Sequence, residues 1–118
     1  MAITVEVDGL GVRIVDTTEG SRKAVNLKKS LTVTEFVHHS KTVATGASDE
    51  SLPFGGVSAG DILVVKVSGS VTLKVNGEST GHTVNTHFML IDTAGGITSA
   101  TVSQSTGSDV TVEYLVAG

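Results

Sequence analysis

Val71-Thr72-Leu73-Lys74-Val75-Asn76-Gly77 is the stretch that decides the fold. Val71, Leu73 and Val75 alternate with Thr72 and Lys74, so a strand through them has one apolar and one polar face. Asn76-Gly77 then stops that strand, because both residues tolerate positive φ and the pair favours a type I′ turn. Downstream the same pattern repeats. His82 to Asp92 reads as a longer strand, Thr93 to Gly96 as a loop, Ile97 to Ser103 as a strand and Thr106 to Asp109 as a turn. Val110, Val112 and Tyr114 alternate with Thr111 and Glu113 in a closing strand.

Upstream, Asp61 to Val67 is apolar almost throughout and reads as a strand covered on both faces. Pro53, beside Phe54-Gly55-Gly56, marks a loop or a strand entrance, and Gly46 to Ser51 is a loop. Thr42 to Thr45 is short and β-prone. Leu31 and Val33 alternate with Thr32 and Thr34 ahead of Phe36-Val37. Earlier still, Ile3, Val5 and Val7 form a half-buried strand, Asp8-Gly9 a turn, Val12 to Val15 a strand, Glu19-Gly20-Ser21 a turn, and Ala24 to Leu27 an extended piece. Lys23 to Leu31 is the best helical candidate, and its apolar period is weak. About eight short strands, spaced near ten residues apart, predict an all-β fold: a β-sandwich of jelly-roll type, or a small barrel. One such domain fills residues 1–118. Its expected core is Val5, Ile14, Val33, Ile62, Val64, Val71, Leu73, Val75, Phe88, Leu90, Val102, Val112 and Tyr114.

Composition narrows the function. Cysteine is absent, which removes disulfides, thiolate metal sites and thiol nucleophiles. Charged residues are 17% of the chain, against about 25% in ordinary soluble domains, and mean hydropathy is +0.24. So neutral a surface fits a chain partly covered by other protein, and a homo-oligomer is expected. No apolar run approaches the ~20 residues a membrane helix needs, and no basic segment followed by an apolar one suggests secretion by the usual route.

The chemical motifs are sparse. His38 and His39 are adjacent, and His82 and His87 lie an odd number apart, so a regular strand sends the members of each pair to opposite faces. A metal site is not expected. No P-loop or dinucleotide-binding glycine pattern is present, and Asp49-Glu50 sit in a polar loop. Neither catalysis nor a cofactor is predicted. A net charge of −4 opposes nucleic-acid binding. The exception is a basic cluster, Arg22, Lys23, Lys28 and Lys29, which is either a solvated loop or a docking segment for an acidic protein surface. Residues 1–60 hold seven acids and six basic residues, and residues 61–118 five and two, so positive charge gathers upstream.

The second half carries a resemblance. Its features are Leu-Pro-Phe-Gly-Gly-Val (52–57), Val-Thr-Leu-Lys-Val-Asn-Gly (71–77), the apolar Phe88-Met89-Leu90-Ile91, Gly-Gly-Ile-Thr-Ser-Ala-Thr-Val (95–102), and a closing strand through Val110 that ends Ala117-Gly118. Together they resemble small virion proteins of tailed bacteriophages. The resemblance is one of pattern, covers residues 52–118, and carries no catalytic residues. It implies a β-sandwich that assembles on heads or tails, with the major capsid protein or other virion proteins as partners. A capsid decoration (cement) protein of the virion, assembled in the host cytoplasm and forming a trimer, is the leading expectation. A tail, baseplate or fibre component is the alternative, although no long loop suited to a tail tube stands out. A carbohydrate-binding β-sandwich is the alternative of another class; it would draw on Phe36, Phe54, Phe88 and Tyr114, the entire aromatic supply.

Overall fold

A computed structural model describes the backbone of residues 3–16 and 20–118 and the side chains of residues 3–8 and 28–118. The chain is all-β, with ten strands and no helix among the described residues. Strands β1 (Ile3–Asp16) and β2 (Gly20–Val33) pair with each other as a long antiparallel ribbon. The other eight are β3 (Phe36–Val43), β4 (Glu50–Ser51), β5 (Ile62–Val67), β6 (Val71–Val75), β7 (His82–Val84), β8 (His87–Ile91), β9 (Ala100–Ser103) and β10 (Val110–Ala117). They form two four-stranded sheets, ordered β3-β10-β5-β8 and β4-β9-β6-β7. That is the jelly-roll order, in which the first and last strands of the body are neighbours and each sheet alternates early and late strands.

Period-two alternation builds the sandwich. Val110, Val112, Tyr114 and Val116 of β10 are all buried, and so are Val71, Leu73 and Val75 of β6. The two sheets close over one core, with Leu63, Val65, Leu73, Val102, Val112 and Tyr114 at its centre. In β5 the outward residue Ile62 is buried as well, because a second cluster covers that side. Ile3, Val5, Val7, Leu31 and Val33 of the ribbon base pack there against Ile62, Val64, Met89, Ile91 and Ala117. Thr4, Glu6, Ser30 and Thr32, on the other side of the ribbon, are exposed.

Several local expectations shift. Asp8-Gly9 is not a turn: the register steps from Val7↔Lys29 to Leu10↔Leu27, so one strand carries an extra residue and the ribbon continues through a bulge. Lys23 to Leu31 is strand, not helix; cross-strand pairing outweighs a weak helical period there. The tip residues 17–19 lie outside the described residues, and Gly20 and Ser21 already belong to β2. His82 to Asp92 is two strands, because the chain crosses from one sheet to the other at Asn85-Thr86. Asn76 and Gly77 do take positive φ, 58° and 69°, but the β6–β7 connection runs on to Gly81. Of the expected core, Val5, Val64, Phe88 and Leu90 are only half-buried, and the side chain of Ile14 lies outside the described residues.

The ribbon joins the body at Thr34-Glu35, and the C-terminal strand clasps that joint. The Gly118 carbonyl accepts from Thr34 N, Glu35 N and Thr34 Oγ1, while Gly118 N donates to the Glu35 carbonyl. Gly118 is confined to glycine, since a Cβ would run into the Ala59 carbonyl. A compact domain of this length has a radius of gyration of about 13.5 Å. The observed 16.0 Å is larger, as a body carrying so long a ribbon requires.

Candidate interaction face

Of the sandwich's two outer faces, that of the β4-β9-β6-β7 sheet is polar at Thr72, Lys74, Thr101 and Ser103, and that of the β3-β10-β5-β8 sheet is the apolar one. Cross-strand register lays it out in rows. Phe36, Ala117, Ile62 and Ile91 form the first row, and His38, Leu115, Val64 and Met89 the second. Ser40, Glu113, Lys66 and His87 form the third. The face therefore grades from apolar to charged along the strand direction. The ribbon base covers the β5–β8 side of the first two rows. On the β3–β10 side Ala117 is buried too, while Phe36 and His38 are exposed and Leu115 is half-buried.

That open corner is a groove of about 380 Å³. Phe36, Val64 and Leu115 supply its apolar part, and His38, Lys66, His87 and Glu113 its charged part. Phe36 is 53% exposed, the one large hydrophobic side chain so open among the described residues. A phenyl ring held in water forfeits the burial it would gain against a partner. Across the second and third rows His38 Nε2 lies 2.7 Å from Glu113 Oε2, with both side chains about half exposed.

The remaining histidines are dispersed. His39 meets the Tyr114 ring edge-on at 6.0 Å, on the side of β3 opposite His38. His82 lies 3.0 Å from Glu78 and stacks at 5.3 Å on Phe88. Among the described residues no three His, Asp or Glu side chains gather as a metal-holding set. Of the aromatics, Tyr114 and Phe54 are buried and Phe88 half-buried, so Phe36 alone offers an open ring.

Arg22, Lys23, Lys28 and Lys29 all fall on β2 and not on a loop. Lys28 and Lys29 are exposed and adjacent, and therefore project from opposite sides of the ribbon. The side chains of Arg22 and Lys23 lie outside the described residues; five positions separate Lys23 from Lys28, about 17 Å along a strand. The four positions are thus spread along the backbone of β2. Residues 1–33 hold five basic and four acidic side chains, net +1, and residues 34–118 three and eight, net −5.

Sequence reading named Phe36 only among the four aromatics open to a sugar-binding alternative, and nothing local marked it as the exposed ring of a groove. It missed Gln104, the one buried polar side chain among the described residues. Gln104 Nε2 donates to the Val43 and Ser108 carbonyls, and its Oε1 accepts from Thr106 N and Oγ1. Its place in the alternation Ala100, Val102, Gln104 was the available signal. The chain matches no protein-family model, no curated protein and no solved structure.

Proposed function

We propose that this chain is a non-catalytic structural protein of a tailed-bacteriophage virion, a capsid decoration protein that binds the head lattice as a homo-oligomer. The observation that carries the reading is the open groove at Phe36 beside a long ribbon, both on a jelly roll of low charge. A surface of that kind suits contact with other protein. The jelly roll recurs in viral capsid domains, though also in lectins and cupins, so it supports the reading without deciding it. The pattern shared with virion proteins in residues 52–118 supplies the biological setting. The carbohydrate-binding alternative is weaker, because sugar rings stack on aromatic platforms and only Phe36 is open.

One observation favours the tail alternative. The β1–β2 ribbon, fourteen residues in each strand, is an extended feature of the sort a tail tube uses and that sequence reading did not anticipate. Adding the purified chain to heads that lack it separates the two. Co-sedimentation with heads supports decoration; association only with tails supports the second reading; binding to neither overturns both. In the same assay, replacing Arg22, Lys23, Lys28 and Lys29 by Ser is expected to slow binding at low salt. The difference should shrink as salt rises, because charge on an exposed ribbon acts mainly on encounter and is screened beyond about 10 Å at 0.1 M salt. Wild-type rates at low salt would show that the basic residues only solvate the ribbon.

A further inference from the structure

We propose that the open groove seats the β1–β2 ribbon of a second copy of this chain, so that copies assemble by placing ribbons on one another's outer sheet face. The inference rests on the self-assembly part of the reading above and names its surface; it does not depend on which part of a virion is involved.

Three observations carry it. The first is continuity. Val64 packs against the molecule's own ribbon base and also lines the groove. The surface that accepts Ile3, Val5, Val7, Leu31 and Val33 in cis thus runs on into Phe36 and Leu115, where no ribbon covers it. A face that fits the aliphatic side of this ribbon is chemically suited to a second one.

The second is charge. The ribbon is net positive and the body strongly net negative. Ribbon-on-body contact therefore gains attraction, whereas body-on-body contact brings like net charges together. Glu113 shares the charged end of the groove with Lys66 and is already hydrogen-bonded to His38, so the attraction comes from the net charges of ribbon and body and not from that one side chain. The third is the ribbon's own composition. Past the base, the register sets Leu10 opposite Leu27 and Val12 opposite Val25. A two-stranded ribbon is at best marginally stable alone in water, and aliphatic pairs along it gain by meeting an apolar surface. Reciprocal seating would give a two-fold dimer, and one-way seating a closed ring such as a trimer.

The chain has no cysteine, so introduced thiols report on this contact alone. Two single variants, Ser40→Cys on the outer face and Val12→Cys on the ribbon, are mixed and mildly oxidised. The expected product is a mixed disulfide of twice the chain mass, in excess of either self-linked species. Light scattering of wild type and Phe36→Ser, with circular dichroism to confirm that the fold persists, is the companion measurement. Loss of this anchor should weaken self-association about tenfold or more. If Phe36→Ser assembles as wild type does, or only Ser40→Cys links to itself, the ribbon-seating inference is wrong while self-assembly stands. If the wild type is a monomer at high micromolar concentration and no mixed disulfide forms, both fail.

Discussion

Tyr114 joins the core to the loop that closes it. The side chain is 1% exposed, and its hydroxyl donates to the Pro53 carbonyl at 2.6 Å. Burial raises its pKa above the ordinary tyrosine value of 10.0. The unfolded chain therefore loses this proton first, and the stabilisation from a neutral Tyr114 is complete below about pH 10 and declines as pH rises from there toward the raised folded value. Tyr114→Phe should lose about 1 kcal/mol at neutral pH and unfold less steeply in alkali, as read by denaturant melts at pH 7 and above pH 10. Gln104 is the second such residue. Gln104→Ala leaves the Val43 carbonyl without its side-chain donor and frees the 104–108 turn, a loss of about 1–3 kcal/mol measurable in the same melts. His38→Ala, by contrast, removes a hydrogen bond between half-exposed partners and should change stability by less than about 1 kcal/mol. Tyr114 was legible as core because it continues the alternation of Val110 and Val112. That its hydroxyl would find Pro53, 61 positions away in sequence, was not, since the contact exists only once the two sheets close.

Elements were legible where one side of a strand is buried and the other wet. β6 and β10 follow that rule, and the alternation marked them. β5 read as covered on both sides, and it is so at Ile62 and partly at Val64, by ribbon-base residues about thirty to sixty positions upstream in sequence, while Lys66 is exposed. The ribbon itself was not legible as one element. Asp8-Gly9 carries turn chemistry but sits in a bulge, and nothing local distinguishes a bulge that continues a strand from a turn that ends one. The strand from His82 was read as unbroken because the crossing at Asn85-Thr86 has no glycine or proline to mark it. Two substitutions probe the ribbon's attachment. Leu31→Ala removes a buried contact with the body and should cost about 2–3 kcal/mol, with faster amide exchange at residues 3–7 and 31–33. Gly118→Ala forces the clasp away from Ala59 and should cost about 1–3 kcal/mol, with the same exchange pattern.

At the scale of the molecule, a jelly roll leaves its edge strands at the two sides of the sandwich. Here β4 and β7 are too short to template another chain, and β3 carries His38, His39 and Lys41. The open apolar surface sits instead on a sheet face, next to the ribbon that half covers it. Three of the four edges are thus guarded, β8 being the fourth, and the unfinished face is the surface the proposed assembly would use. Low charge and positive hydropathy in the composition could not place that surface, because Phe36 becomes an outward residue only once β3 has β10 as its neighbour. The central claim is that the chain acts as a repeated part of a phage particle. Electron cryomicroscopy of purified particles from the phage that encodes it tests this most directly. The account predicts density for this jelly roll at regular positions on the head lattice, with each ribbon lying against a neighbouring copy's outer sheet face. Particles that lack the chain altogether would contradict it.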